Sequence, residues 1–260
     1  MNKTVTAVLA ISALAVNVAG ATSNNTVGGT DNTISTNSTS SAVWGFQNNI
    51  DANNALAFGT NNTVTGENGF AGGNNATAAG RNSFAFGSHA ESLVEYTIAL
   101  GNQARTAAYN SVAIGNGAFV SGESSVAFGR SNNVTGENSV AVGANNGTVA
   151  GGQSTVVGYN NKIGADKEQL VFGSNSESNG QGALVFGTHA KSLATDAVAF
   201  GNNTIADRAN SVAIGTNAVT DDAVGVTSSQ VSNLAQWYPL VPKLARVQVA
   251  WLSITVNSKM

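Results

Sequence analysis

The chain has 260 residues, of which 42% are apolar and only 10% are charged, with a formal net charge of −3. Such a sparsely charged, slightly acidic chain has no basic patch to hold nucleic acid or an anionic membrane surface, so neither partner is expected. The absence of cysteine excludes disulfides, thiolate metal ligands and cysteine nucleophiles.

The first residues are typical of a secretory signal peptide. Lys3 is followed by an apolar run over residues 5–18, and Ala19, Gly20 and Ala21 form a small-residue cleavage site. The apolar run is shorter than the ~20 residues that a retained membrane helix needs, although a retained anchor is the alternative. We therefore predict a signal peptide over residues 1–21 and an exported mature chain.

Residues 22–41 are rich in Thr, Ser and Asn and contain few large apolar side chains. This composition predicts a polar lead-in, either a frayed first coil or a disordered segment.

From residue 42 onward a short sequence motif that ends in glycine recurs. Ten of the twelve intervals between these glycines are fourteen residues and two are fifteen. A period this regular predicts a solenoid, in which each repeat is one coil stacked on the next. The column consists of Gly45, Gly59, Gly73, Gly87, Gly101, Gly115, Gly129, Gly143, Gly158, Gly173, Gly187, Gly201 and Gly215.

With one or two exceptions, large apolar residues occupy the positions one and three before the column glycines, as in Val112 and Ile114 before Gly115. Two such residues point to the same side of an extended strand, and no helical period is present. We predict that these side chains fill the space between two sheets. The predicted core ladder comprises Phe58, Phe86, Val112, Ile114, Val126, Phe128, Phe172, Phe186, Phe200 and Ile214.

The position between the two large residues is always Ala or Val. By strand alternation it faces away from the predicted core, and an uncharged column of this kind is unusual for an exposed strand. We expect another chain to cover it, the alternative being an alanine column left exposed. The predicted inter-subunit face comprises Ala85, Ala99, Ala113, Ala127, Ala141, Ala199 and Ala213.

After each column glycine a second, weaker alternation of small residues follows, for example Ala118 and Val120. Glycines such as Gly66 and asparagines such as Asn68 and Asn82 then suit tight turns or positive φ. One coil is therefore predicted to hold two short strands and two turns, and stacked coils form two parallel sheets. The two fifteen-residue intervals predict one-residue bulges in a turn or a strand.

The wording of the repeat resembles a known family. NSVAIG occurs at residues 110–115 and 210–215, with the variants NSVAVG at 138–143 and NSFAFG at 82–87. These phrases resemble the head repeat of trimeric autotransporter adhesins, the YadA-like head, over residues 42–220. The resemblance implies an all-β, left-handed parallel β-roll with 14-residue coils, a homotrimer, and a bacterial cell-surface, outer-membrane or extracellular adhesin that binds host extracellular matrix or cell-surface molecules.

Residues 221–260 depart from that family. Residues 220–226 only loosely resemble its neck, and the remainder, interrupted by Pro239 and Pro242, does not contain four membrane strands of ~9–11 residues each. We predict a neck-like segment and an atypical tail without a complete membrane anchor. A head-only paralogue, a truncated product and a secreted subunit all remain open.

The sequence contains no recognisable catalytic motif. His89 and His189 share a register but lie seven coils apart, too far to share a metal ion, so both are predicted to be surface turn residues. No enzyme activity, cofactor, metal or small-molecule substrate is expected, and the ligand-binding residues are not identified by any motif. The alternatives to an adhesin are a structural spacer or fibre module without its own ligand and an ice-binding solenoid, the latter disfavoured by varied residues after the column glycine.

Overall fold

We analysed a computed structural model of the chain, which describes residues 24–220 together with the strand at residues 17–18. The predicted neck-like segment and tail lie outside these residues, as does the predicted signal peptide apart from that strand. The chain divides into two compact units, the first ending at Thr148 and the second beginning at Val149.

Every regular element of the described residues is a β-strand, and none of these residues is helical. The first unit contains β1 (Asn17–Val18), β2 (Thr26–Thr30), β3 (Thr33–Ile34), β4 (Ala42–Phe46), β5 (Asn49–Ile50), β6 (Leu56–Thr60), β7 (Thr63–Val64), β8 (Phe70–Asn74), β9 (Thr77–Ala78), β10 (Phe84–Ser88), β11 (Glu91–Ser92), β12 (Ile98–Leu100), β13 (Arg105–Thr106), β14 (Val112–Ile114), β15 (Phe119–Val120), β16 (Val126–Phe128), β17 (Asn133–Val134) and β18 (Val140–Ala144). The dividing point falls within β19 (Thr148–Val149). The second unit contains β20 (Thr155–Tyr159), β21 (Lys162–Ile163), β22 (Leu170–Ser174), β23 (Glu177–Ser178), β24 (Leu184–Thr188), β25 (Lys191–Ser192), β26 (Val198–Phe200), β27 (Ile205–Ala206) and β28 (Val212–Ile214).

Long and short strands alternate along the chain and form separate parallel sheets within each unit. In the first unit, β2 to β18 pair in even-numbered order as the long-strand sheet, and β1 to β17 pair in odd-numbered order as the short-strand sheet. Strands are in register at the fourteen-residue period, with Ala85 opposite Ala71 and Ala99 opposite Ala85. The predicted all-β, parallel solenoid with coils of about fourteen residues is therefore confirmed.

The solenoid begins before the predicted boundary at residue 42. Strand β2 pairs with β4, which places Gly29 opposite Gly45, and β3 pairs with β5. From residue 24 onward, the segment predicted as a polar lead-in is thus an ordered coil. Its few large apolar residues suffice because the interior of the coil takes only small or medium side chains, such as Ile34.

Two columns of left-handed residues turn the chain twice in each coil. Asn61 and Asn75 take φ values of 55° and 57° in the first turn, and Asn68 and Asn82 both take 55° in the second. Asparagine tolerates this conformation better than most residues, and the sequence prediction for Asn68 and Asn82 is confirmed.

Glycine occurs in the second turn for a different reason. Gly66 is not in the left-handed region, but a Cβ atom on it would collide with the backbone carbonyl of Gly80 in the next coil. The absence of a side chain therefore permits close stacking of the coils rather than an unusual φ.

One fifteen-residue coil lies wholly within the second unit. Gly158 is opposite Gly173, and Lys162 is still in register with Glu177. The additional residue consequently lies after β21, in the turn over residues 164–168, rather than in a strand. A turn absorbs an inserted residue without shifting the strand register, which explains the continued pairing on either side.

The predicted assignment of the two strand faces is wrong. In β14, Ala113 is completely buried, whereas Val112 and Ile114 lie on the outside of the coil. Ala118 and Val120 of the same coil complete the interior from the short-strand side. The core is thus built from the small column, because two short strands joined by tight turns leave no room between the sheets for opposed aromatic rings.

The positions of both predicted sets of residues are therefore reversed. The residues predicted as an inter-subunit face are interior residues, with exposures between 0% and 4%: Ala85, Ala99, Ala113, Ala127, Ala141, Ala199 and Ala213. The residues predicted as the core ladder are all exposed or half-buried on the outer face of the long-strand sheet: Phe58, Phe86, Val112, Ile114, Val126, Phe128, Phe172, Phe186, Phe200 and Ile214.

A polar ladder occupies part of the interior. Asn62 is fully buried, and its Nδ2 donates to the carbonyl oxygens of Phe58 at 2.9 Å and Gly73 at 3.1 Å, while its Oδ1 accepts from the amide of Ala76. Asn48 makes the equivalent contacts one coil earlier and accepts from Asn62. These amides satisfy backbone groups that the turn leaves unpaired, so a polar core is stable here.

Candidate interaction surface

The outer face of the long-strand sheet carries many large apolar side chains that are exposed to solvent. In the single chain, Phe58 is 58% exposed, Phe128 53% and Phe200 53%. Neighbouring coils of each unit add further large side chains at the same two positions, among them Trp44 and Ile98. Contiguous exposed apolar surface of this kind marks interaction sites, since isolated soluble chains rarely carry it.

Aromatic rings order this face. Phe70 and Phe84 stack with ring centroids 4.7 Å apart, and Phe86 stacks against both. In the second unit Phe172 stacks on Phe186 at 5.3 Å. Stacked rings form a rigid surface that loses little side-chain entropy on contact with a partner.

Gly72, a glycine in the column of large residues, is explained by its neighbours. A Cβ atom on Gly72 would collide with the rings of Phe86 and Phe70, which cover this position. The apolar face therefore continues across the coil even though the sequence lacks a large residue there.

The outer face of the short-strand sheet in the first unit is polar by contrast. Thr63 and Thr77 lie in register, and further along the same column the Arg105 Nε donates to Glu91 Oε2 at 2.8 Å. The Arg105 guanidinium also lies 5.4 Å from the ring centroid of Phe119. This face is satisfied by its own ion pair and cation–π contact.

In the second unit the same column carries a three-residue charge ladder. Lys162 Nζ lies 3.0 Å from Glu177 Oε1, and Lys191 Nζ lies 3.7 Å from Glu177 Oε2. The hydrogen bond from Lys162, followed by that from Asn179, lowers the pKa of the Glu177 carboxyl below its ordinary value. The two lysines thus hold this carboxylate in its charged form.

The two histidines lie on the first turn of their coils, both exposed and both in the left-handed conformation. Ser88 Oγ lies 3.0 Å from His89 Nδ1. Among residues 24–220 no three His, Asp or Glu side chains are grouped so that they could hold a metal ion. The described residues also contain no helix that is long and apolar enough to cross a membrane.

The sequence prediction identified the column of large residues but missed that it forms the exposed surface. It also missed two exposed side chains of the first unit, Tyr96 and Tyr109, which lie in the second turns of their coils. Both tyrosines interrupt columns otherwise held by polar residues, and that interruption was the available signal.

A comparison with known families agrees with this geometry. The model of the YadA head domain repeat matches residues 51–76, 65–90, 95–118, 121–146 and 192–218. Residues 51–218 are a YadA-like head repeat region. No curated protein matches the chain significantly.

The YadA head family forms a β-roll, in agreement with the parallel solenoid described above. It is a structural, adhesin-type domain and not a known enzyme family. The chain therefore contains an adhesin-type head module of a kind that is displayed at the surface.

Proposed function

We propose that this chain is the head of a bacterial adhesin that assembles as a homotrimer and binds host extracellular matrix or cell-surface molecules. The observation that carries the proposal is the ordered, exposed apolar face of the long-strand sheet on a YadA-like repeat. The trimer and the ligand class are what membership of that repeat family implies.

The apolar face supports self-assembly on energetic grounds. Each fully buried Phe contributes about 1.5–3 kcal/mol, and side chains that are half exposed retain a large part of that free energy for a partner surface. The interior of the coils consists mainly of Ala, Val, Ser, Thr and Asn, with an occasional Ile, so burial within one chain is small. Burying the outer face between chains supplies the missing stabilisation.

Identical chains have identical apolar faces, and a rotational arrangement closes when each face packs toward a common axis. Three chains around one axis bury the long-strand faces and leave the short-strand faces in solvent. This arrangement is consistent with the polar and ion-paired character of the short-strand face.

The mass of the purified protein in solution tests the assembly. Multi-angle light scattering is expected to give three times the chain mass and no detectable monomer at micromolar concentration. A stable, folded monomer would contradict the proposal, because its apolar face would then be exposed to water.

Ligand binding is tested separately on the assembled protein. Immobilised collagen, fibronectin and laminin and host cells are expected to retain it more strongly than a β-solenoid of unrelated sequence. An adhesive role suits a repetitive surface, since many weak contacts along successive coils add to a high avidity. A trimer that binds none of these ligands would instead support the structural spacer.

Export and surface display complete the proposal. Protease treatment of intact cells that express the natural gene is expected to degrade the protein. Protection from protease in intact cells, with degradation only after lysis, would contradict surface display.

A further inference from the structure

One edge of the first unit carries side chains that neither the core nor the apolar face requires. The second turns of successive coils stack through backbone hydrogen bonds, with the Tyr96 amide donating to the Arg81 carbonyl at 3.0 Å and the Ser124 amide donating to the Tyr109 carbonyl at 3.0 Å. Equivalent side chains of successive coils along this edge are therefore about 4.8 Å apart. We call this edge the tyrosine ridge, and its members are Arg81, Glu95, Tyr96, Tyr109, Glu123 and Glu137.

Tyr96 is an exception within its own column. It has a φ of 58°, whereas the equivalent positions in other coils are held by asparagines such as Asn68, Asn82 and Asn110. The left-handed region is unfavourable for a bulky side chain, and about half of Tyr96 remains exposed. A strained, exposed aromatic residue where asparagine would suffice indicates a role outside the fold.

The ring of Tyr96 is nevertheless held in place. Arg81 donates to the Tyr96 hydroxyl at 2.9 Å and to Glu95 Oε2 at 3.2 Å, and its guanidinium carbon lies 5.4 Å from the Tyr96 ring centroid. Tyr109, one coil beyond Glu95, is 50% exposed. Tyr96, which Arg81 holds in place, and the exposed Tyr109 resemble the aromatic anchors that contribute most to protein interfaces.

The charges of the ridge select the partner. Arg81 is neutralised by Glu95, whereas neither Glu123 nor Glu137 has an ion pair with any residue that the structure describes. These two carboxylates follow Tyr109 in consecutive coils and repel each other. Residues 24–148 contain no lysine, and of their three arginines Arg81 and Arg105 pair with other carboxylates while Arg130 lies in the first turn of its coil, away from the ridge.

We propose that the tyrosine ridge is a docking surface for an extended, lysine- or arginine-rich segment of a partner protein. Cationic side chains of such a segment lie over the ring of Tyr109 and pair with Glu123 and Glu137, and the segment packs against the part of Tyr96 that stays exposed beside Arg81. The ridge is a turn edge, distinct from the apolar face on which the homotrimer proposal depends. An anionic partner is repelled, and a neutral one leaves the two carboxylates unpaired.

Fluorescence anisotropy on the full-length protein tests this inference with labelled synthetic peptides. A peptide of alternating lysine and glycine is expected to bind, with an affinity that falls as salt rises. Peptides with glutamate or serine in place of lysine are expected to bind at least about tenfold more weakly. Equal binding of the serine peptide, or of a neutral oligosaccharide, would overturn the proposal.

Substitutions then locate the site. Tyr96→Asn installs the residue that other coils use, so the melting temperature is expected to be unchanged or higher while lysine-peptide affinity falls about fivefold or more. The double variant Glu123→Gln, Glu137→Gln is expected to reduce both the affinity and its salt dependence. Tyr159→Asn is the matched control, because Tyr159 is also 48% exposed but lies in the second unit.

An affinity loss for Tyr159→Asn equal to that for Tyr96→Asn would show that binding is not specific to the ridge and would overturn the proposal. Unchanged affinity in the double carboxylate variant would do so equally. Because the readout is peptide affinity, these outcomes are independent of the mass of the assembly and of matrix binding.

Discussion

The two sheets of the first unit share one interior but have opposite outer faces. The long-strand face presents half-exposed aromatic and aliphatic side chains, such as Phe58 and Phe128, in successive coils. The short-strand face presents Thr63, Thr77 and the Glu91–Arg105 ion pair. Since both faces are built on the same small core, stability within the coil does not explain the difference, and we propose that only the long-strand face packs against a partner.

The second unit repeats this difference. Phe172 and Phe186 stack on its long-strand face, whereas Lys162, Glu177 and Lys191 form an ion-paired ladder on its short-strand face. Each unit thus has one apolar and one polar outer face, and we propose that the apolar face associates while the polar face stays in solvent. The following variants test that division, in order of decreasing expected effect.

The largest effect is expected for a charge in the shared interior. Ala113→Lys places an ammonium group where the side chain is 0% exposed, so the free energy of unfolding is expected to fall by more than about 4 kcal/mol. Asn116→Lys, in an exposed turn of the same coil, is expected to change it by less than about 0.5 kcal/mol. Thermal melting followed by circular dichroism compares the two. An Ala113→Lys protein that folds as a monomer but fails to assemble would restore the inter-subunit prediction for this column.

The next largest effect is expected when the same change, Phe to Asp, is made on each of the two outer faces. Phe128→Asp on the long-strand face is expected to weaken self-association by at least about tenfold, because it places a carboxylate in the proposed interface. Phe119→Asp on the short-strand face is expected to leave the assembly mass unchanged. Light scattering over a dilution series measures both. If the two variants dissociate equally, the faces do not differ in the way proposed.

A smaller effect is expected from the polar part of the interior. Asn62→Ala removes the side chain that bonds the Phe58 and Gly73 carbonyls and the Ala76 amide, so stability is expected to fall by about 1–3 kcal/mol without a change in assembly mass. Urea denaturation measures the loss. The exposed neighbour Asn61→Ala is the control for the loss of an amide, although its left-handed φ of 55° will itself cost about 1 kcal/mol.

The smallest effect concerns the short-strand face of the second unit. Because its folded-state pKa is lowered, Glu177 stabilises the fold above its unfolded pKa, and this contribution is lost as the pH falls through the lowered folded value, below 4.5. Glu177→Gln is expected to cost about 0.5–1 kcal/mol at pH 7 and nothing at low pH. Melting temperatures from pH 7 to pH 3 measure the difference, and Glu168→Gln, at an exposed turn, controls for the loss of a charge. A cost that does not change with pH would show that packing, not charge, is responsible.

Much of the fold could be predicted from the chain because its period is so regular. The spacing of column glycines such as Gly115 predicts the coil length, and the recurrence of asparagine at positions such as Asn68 predicts the left-handed turns. These features depend on backbone conformation within one coil, which local sequence determines.

Which face of each strand points into the interior could not be predicted in the same way. Alternation in Val112, Ala113 and Ile114 separates two faces but does not say which of them is inside, and residue size suggested the wrong one. The outcome depends on the distance between the two sheets, which is set by the turns and by the short strand opposite, here Phe119–Val120. Likewise the contacts of Arg81 with Tyr96 and Glu95 depend on stacking of coils that are fourteen or fifteen residues apart in sequence.

The sequence by itself therefore determined the repeat, the parallel solenoid and the family of the repeat, since each follows from a local pattern copied coil after coil. Only the tertiary structure decided that alanine fills the interior and that the large apolar residues face outward. The physical reason is volume: a coil closed by two tight turns accommodates a methyl group opposite a valine, and it excludes a pair of aromatic rings.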